Sequence, residues 1–371
     1  MSKAGNSAVA SATTSIGYIV SPCIDFWMTG GASIVAMCVL LAYIALHGVS
    51  ESSSKAVLLG NMIVFQAIIN WPHFMGAYSL LYRPSENIKK YPFASIYVPM
   101  VLVAIVVLSV LTGDHVSWSR VLVNQDIAYL FWLAAAFYLA WHYTGQAWGM
   151  IATFSRLSNT EIMPIERFAI RIGLRLLLMW HVVWGAQDLP AHWLIGLHPY
   201  LPSLLTLMSV LCGVAFAAGI VVWLRVAKRM GAVPDARILA SWVAIYLWYL
   251  VLNFMPEAYP IVQLSHALQY LPFPLRVELN RATSLASTAE RVKSMTWSAK
   301  YYVALIVAGL VVFYLPEAAS DRSQQYTFAV MIASAVSIHH YFVDGCIWRI
   351  SNADIRRNLF AHLSLARLAR A

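Results

Sequence analysis

Charge is what this chain lacks most. Only 11% of its 371 residues are Asp, Glu, Lys or Arg, against about 25% in soluble domains. A folded chain with so little charge cannot cover a surface that faces water, which excludes an ordinary soluble enzyme. Cysteine is scarce too. Cys23, Cys38, Cys212 and Cys346 show no CxxC spacing and fall mostly in apolar runs. A cysteine-rich zinc knot and a thiol redox motif are excluded, and these thiols are expected to be reduced and inert. HExxH is missing, as are the P-loop, GxSxG and a GxGxxG in its proper context. Their absence removes the commonest zinc-hydrolase, nucleotide-binding and serine-hydrolase classes. The N-terminus has no basic stretch running directly into an apolar one, so no cleavable signal is expected. Repeats and low-complexity tracts are absent as well.

What is abundant is hydrophobic residues, at 60% of the chain, arranged in runs of roughly 20 that can each cross about 30 Å of hydrocarbon as a helix. Backbone groups inside a bilayer must be satisfied within the chain, which dictates helices. The short alternating segments of a β-barrel do not occur. The expected fold is all-α, a polytopic integral membrane bundle of about ten helices forming a single transmembrane domain over residues 1–371. The spans read as Ser33–His47 (starting as early as Phe26), Ala56–Tyr82, Phe93–Thr112, Ile127–Phe154 and Arg167–Gln187, the last interrupted by Arg171 and Arg175. They continue as Leu204–Val226, Ile238–Met255, a short proline-containing Tyr259–Leu275, Tyr301–Leu315 and Tyr326–Ile350.

The formal charge of +9 does not point to nucleic acid, because the basic residues sit in loops between apolar runs. Arg83, Lys89 and Lys90 follow the second span. Arg225, Lys228, Arg229 and Arg237 surround the loop after the sixth. Arg276, Arg281, Arg291, Lys293 and Lys300 follow the eighth, and Arg356, Arg357, Arg367 and Arg370 lie in the tail. The alternate loops are poor in Lys and Arg. Placing both termini in the cytoplasm puts every strongly basic loop on the cytoplasmic side, as the positive-inside rule requires. The setting is expected to be a bacterial inner membrane.

Six of the eleven histidines lie inside apolar runs. Counted from the basic end of each span, His73 is about nine residues deep, His142 about twelve, His266 and His340 about nine and Asp344 about five, which at 1.5 Å per residue places them in one slab. Each shares a helix face with a polar neighbour. Gln66, Asn70 and His73 follow i, i+4, i+7 spacing. His142 pairs with Gln146, His266 with Gln269, and His340 with Asp344. A lone membrane histidine usually bonds to a neighbouring helix, for about 0.6 kcal/mol. Four at one depth on four helices suit a metal site. The expected ligands are His73, His142, His266 and one or both of His339 and His340, with Asp344 ligating or orienting His340. On an ideal helix His339 points about 100° away from His340, toward a second metal or none. Gln146, Gln269 and Asn70 are expected to position ligands or substrate. His181 lies nearer the opposite membrane face and reads as structural. Imidazoles with one carboxylate suit iron best, with copper, zinc or manganese as alternatives. A metal within the bilayer suits redox chemistry on a lipophilic substrate, with the lipid itself and an electron donor as partners.

Helix-borne His73, His142, His266 and the His339–His340 pair, with Asp344, give a sequence that resembles the polytopic histidine-rich membrane non-haem iron oxygenases. These include alkane hydroxylases, fatty-acid desaturases and hydroxylases, and bacterial carotene-cleaving dioxygenases. The HxxxH and HxxHH boxes of the desaturases and alkane hydroxylases are not present, so the carotene-cleaving enzymes, with fewer ligands around one iron, are the nearer analogy. The resemblance implies an oxygenase using non-haem iron. Two other classes use the same residues differently: a bis-histidine haem protein, and a transporter whose proline-rich eighth helix is broken at a polar site.

Overall fold

The computed structural model describes residues 17–48, 62–113, 120–187, 189–283, 288–348, 356 and 359–363. These residues are helical throughout, apart from loops and an isolated bridge between Val121 and Ser320. Among them, seven helices are long and apolar enough to cross a membrane. They are α1 (Pro22–His47), α4 (Phe93–Leu111), α6 (Pro164–Ala186), α7 (His198–Met230), α8 (Ala236–Phe254), the Thr296–Ala319 part of α11 (288–319), and α12 (Phe328–Ile347). The remaining helices are α2 (62–82), α3 (Ser85–Lys90), α5 (Gln125–Leu157), α9 (Tyr259–Tyr270) and α10 (Pro272–Thr283). Where ten spans were expected, α2, α5 and α9 therefore form but lie outside the long, strongly apolar set. The Tyr259–Leu275 segment is divided at Leu271, where Pro272 and Pro274 open a separate helix. The starts of the expected Ala56–Tyr82 span and the basic residues Arg357, Arg367 and Arg370 fall outside the described residues.

The outer surface is apolar. Met100, Val103 and Val107 on α4 are exposed, as are Leu207, Val210 and Val214 on α7 and Val303, Val307 and Val311 on α11. Spacings of three and four residues make each set one helix face. In water such faces would drive aggregation, whereas against lipid they are the proper surface. Arg171 and Arg175 on α6 lie at its exposed face, and the Arg171 guanidinium sits 5.7 Å from the Trp148 ring. Inside the bundle, α5 is the central post, packing against α6, α8 and α12. Helix α9 lies against the 27–31 turn of α1 and the 66–70 turn of α2.

Three wide π-turns, Gln66–Asn70, Phe93–Tyr97 and Leu310–Tyr314, each end two residues before a proline: Pro72, Pro99 and Pro316. Proline lacks the N–H that would bond to the carbonyl four residues back, and its ring collides with that carbonyl. Widening the turn moves the carbonyl aside and leaves it free. Tyrosines take up two of the freed groups. Tyr302 donates its hydroxyl to Ile68 O at 2.5 Å, and Tyr82 donates to Ser95 O at 2.9 Å. Close helix contacts need glycine: a Cβ on Gly30 would lie 2.4 Å from Ala240 O, and one on Gly309 2.6 Å from Trp71 Cβ.

The two ends of the bundle differ in charge. At one end Gly17 N donates to Leu157 O (3.0 Å), and Arg237 donates to Gly17 O (2.8 Å) and to buried Asp25 (3.4 Å) and Asp235 (2.6 Å). Arg276 reaches Ile19 O, His362 Nε2 lies 2.7 Å from Tyr18 O, and Arg83 pairs with Glu278 at 2.7 Å. At the other end Val121 N donates to Ala319 O (2.9 Å), Gln125 to Tyr326 O (2.9 Å) and Gln324 to Val123 O (2.8 Å). There the described cations are Arg120 and Arg322.

Arg237 is 2% exposed and Asp25 0%, so removing the cation strands a buried carboxylate. Arg237→Met is expected to lower stability by about 3–5 kcal/mol. Thermal unfolding in detergent measures this, and an unchanged midpoint would show that the clamp is dispensable.

Candidate metal centre

Four helices deliver one imidazole each to a common point. His73 follows Pro72 in α2, directly after the 66–70 π-turn. His142 sits midway along α5, His266 in α9 and His340 in α12. All four are buried, and one nitrogen of each lies within 4.8 Å of the others. His73 Nε2 is 2.7 Å from His340 Nε2, and His142 Nε2 is 3.1 Å from His266 Nε2. Imidazole nitrogens lie about 2.0–2.1 Å from a bound ion, so neighbouring ligands lie about 3 Å apart and opposed ones about 4 Å apart. The cluster fits one ion with shifts of a few tenths of an ångström.

Asp344 completes the set. Its Oδ2 lies 3.5 Å from His340 Nε2 and 3.7 Å from His142 Nε2. Its Oδ1 accepts from the Tyr270 hydroxyl at 3.0 Å, and Tyr270 Oη accepts from Trp348 Nε1 at 2.8 Å. One carboxylate oxygen is thereby tethered and the other aimed at the imidazoles. Among the described residues, the ion-pair partners of Asp344 are His142 and His340 alone. Arg349, five residues further on, lies outside the described residues. An ionised carboxylate in an apolar interior needs a cation, and here that position is the centre of the cluster.

Metal-bound imidazoles commonly donate their second nitrogen to a protein acceptor. Here Nδ1 of His73, His266 and His340 has no hydrogen-bond partner. Packing orients the rings instead. Tyr270 stacks on His73 at 4.4 Å, Tyr341 on His142 at 4.5 Å, and Tyr143 lies 4.4 Å from His266. Phe74 meets His340 edge-on at 4.8 Å.

The other expected site residues are placed elsewhere. His339 is not in the cluster. Its Nε2 lies 2.8 Å from Ala94 O and 3.2 Å from the Tyr82 hydroxyl, and its ring stacks on Tyr78 at 5.0 Å. It locks α12 to the π-turn that precedes Pro99. The three amides make no hydrogen bond to an imidazole nitrogen: Asn70 bonds within α2, and Gln146 and Gln269 bridge to neighbouring helices. Asn70 donates to Gln66 Oε1 (2.6 Å). Gln146 donates to His266 O (3.1 Å) and Gln269 Oε1 (3.2 Å), and Gln269 donates to Thr29 O (2.6 Å). His181 is buried among Tyr143, Trp184 and Tyr249, at ring distances of 6.3, 5.4 and 5.7 Å, apart from the cluster.

Sequence reading missed Tyr270, Tyr341 and Trp348. Tyr270 stands four residues after His266, and Tyr341 and Trp348 flank Asp344. Helical spacing alone therefore marked Tyr270, although an aromatic residue in a membrane helix is ordinarily read as packing. No known protein family, curated protein or solved structure matches this chain.

If His339 and Tyr82 serve the same pair of carbonyls, their losses are coupled. His339→Ala and Tyr82→Phe should each cost about 1 kcal/mol, and the double variant should cost less than the sum. Strict additivity in a denaturation cycle would refute the shared lock.

Proposed function

We propose that this protein is a membrane-embedded oxidoreductase in which His73, His142, His266, His340 and Asp344 hold non-haem iron and a lipophilic substrate is oxidised with O₂. The supporting observation is the meeting of four imidazole nitrogens at a buried point, with an oxygen of Asp344 at 3.5 and 3.7 Å from two of them. Nitrogen-rich ligation with one carboxylate would suit iron(II), which His73, His142, His266 and His340 would hold with Asp344 beside them. The ion, when bound, supplies the electrons and Lewis acidity for activating oxygen. The protein's own residues do the rest: Tyr270 holds Asp344 in register, and Tyr143, Tyr341 and Phe74 fix the rings and shield them from water. A haem reading fits less well: two axial imidazoles would suit it, but the other two rings, with nitrogens within 4.8 Å of them, stand where the macrocycle would lie. An electron donor is the implied partner.

The orientation in this reading keeps both termini in the cytoplasm of a bacterial inner membrane, with α2, α5 and α9 completing ten crossings. Gathering of Arg83, Arg229, Arg237 and Arg276 at one end of the bundle supports it. A reporter active only in the periplasm, fused after Ala371, should stay silent; strong activity would reverse the orientation.

For the metal, protein purified without chelators should carry about one iron per chain and show no Soret band. His142→Ala and His266→Ala should each lose at least tenfold in bound metal yet still insert, because one intramembrane hydrogen bond costs only about 0.6 kcal/mol. Full metal content in both variants, or no metal in the parent protein, would refute the reading.

A further inference from the structure

A cavity of about 280 Å³ adjoins the cluster between α5 and α12. His142 and Asp344 line its inner end, and lining residues continue down α5 to Thr153. The eleven residue steps from His142 to Thr153 on α5 correspond to about 16 Å of helix at 1.5 Å per residue. Ligand cavities commonly hold about 300–1,000 Å³, so this one is narrow for its length.

Glycines keep it open. Gly145 and Gly149 lie one turn apart on α5, and Gly345 faces them from α12; all three line the cavity. A Cβ on any of them would meet nothing within 4 Å. Several other helix glycines are needed for packing: a Cβ on Gly173 would lie 2.2 Å from the Tyr246 hydroxyl, and one on Gly219 2.3 Å from the Trp242 ring. Gly213 on α7 is also open but does not line this cavity. Glycine inside a helix lowers its stability. At Gly145, Gly149 and Gly345 no clash with a Cβ calls for glycine, whereas close approach of a ligand does. Gly145 and Gly345 are also exposed, beside the exposed Trp141, so the cavity opens sideways onto the lipid-facing surface.

Its walls carry polar atoms that a ligand can reach. The buried Gln146 Oε1 lines the cavity and has no hydrogen bond, and the Tyr341 hydroxyl, in a residue 9% exposed that also lines the cavity, lies beside Ser337. A buried polar atom left unpaired is costly. A ligand oxygen bearing a proton can accept from the tyrosine or donate to the amide oxygen.

We propose that this slot admits, from the lipid and between Gly145 and Gly345, an extended single-chain apolar molecule bearing a hydroxyl group. The proposal rests on the metal-enzyme reading for its catalytic meaning, while the slot itself stands on the cavity geometry. The chain lies along α5 and brings its reacting segment to His142 and Asp344. Bulky or branched lipids are excluded by the narrow bore.

The test uses full-length protein in nanodiscs with two photoreactive probes, a hexadecanol and a hexadecane that each carry a mid-chain diazirine. Cross-links are mapped by mass spectrometry, and iron is measured on the same samples. The alcohol should label peptides containing Met150, Thr153 or Tyr341 at least tenfold more than those of the lipid-facing Val210 and Val303. Gly149→Leu and Gly345→Leu should abolish that excess and keep their iron. Should either leucine variant fold poorly, Gly149→Ala serves instead, narrowing the slot with a methyl group that meets no neighbour. Tyr341→Phe should remove the preference for alcohol over alkane. Equal labelling of slot and lipid-facing helices, or undiminished slot labelling in the leucine variants, overturns the proposal. Slot labelling in a parent protein without iron upholds the slot and overturns the metal reading instead.

Discussion

Four imidazoles gathered at one point inside a hydrocarbon-facing bundle, with the Asp344 carboxylate beside them, set the terms for the rest of this structure. Each desolvated imidazole and the Asp344 carboxylate must be repaid locally, since neither water nor lipid can do so. Three of the four helices that carry the imidazoles are less apolar than their neighbours. His73, His142 and His266 belong to α2, α5 and α9, which are outside the seven long and strongly apolar helices, while His340 and Asp344 are on α12, one of the seven. Helices such as α7 and α11 present hydrocarbon to the exterior and screen that interior from lipid. Hydropathy here separates wall from most of the content.

Helix ends and prolines then adjust the content. A proline two residues beyond a π-turn opens the backbone at Pro72, Pro99 and Pro316. Each opening exposes a carbonyl that must be satisfied within the protein. At Pro72 the hydroxyl of Tyr302 answers Ile68 O, which ties α11 to the turn that aims His73. At Pro99 the answer comes from Tyr82 to Ser95 O, with His339 beside it on Ala94 O. Two adjacent histidines thus have unrelated tasks. His340 faces the centre and His339 closes a backbone wound in α4.

Much of the centre was legible in the sequence because depth is additive along a helix. Counting residues from the basic end of each span placed His73, His142, His266 and His340 in one slab, and the i, i+4 rule put Asp344 on the same face as His340. The same rule separated His339 from His340 by about 100°. The amides were harder to read. Asn70, Gln146 and Gln269 share faces with the histidines, yet Asn70 bonds back to Gln66 on its own helix, and Gln146 and Gln269 run to His266 O and Thr29 O, on neighbouring helices that spacing does not reveal. Aromatic partners were invisible for a related reason: Tyr270 and Tyr341 acquire roles through ring stacking across helices, which no single-helix period encodes. Span count was blurred where polar content diluted the hydrophobic signal, in the helices that build the site.

The charge of Asp344 decides how the cluster is best understood. Without a cation, the rings can pair as two Nε2-to-Nε2 hydrogen bonds, His73 with His340 and His142 with His266. That arrangement satisfies the imidazoles but does nothing for the carboxylate, whose Oδ2 faces both pairs from 3.5 and 3.7 Å, too far for a good hydrogen bond. A proton on one ring would supply the charge, at the cost of breaking a pair and burying an imidazolium among three other imidazoles. The divalent ion proposed above would take one lone pair from each ring and balance Asp344, with the protons on Nδ1, where His73, His266 and His340 have no acceptor and stacked aromatic rings hold them in place. The tether from Trp348 through Tyr270 to Oδ1 then has a physical purpose. It keeps the one carboxylate from collapsing onto an imidazole and holds its second oxygen toward the position an ion would take.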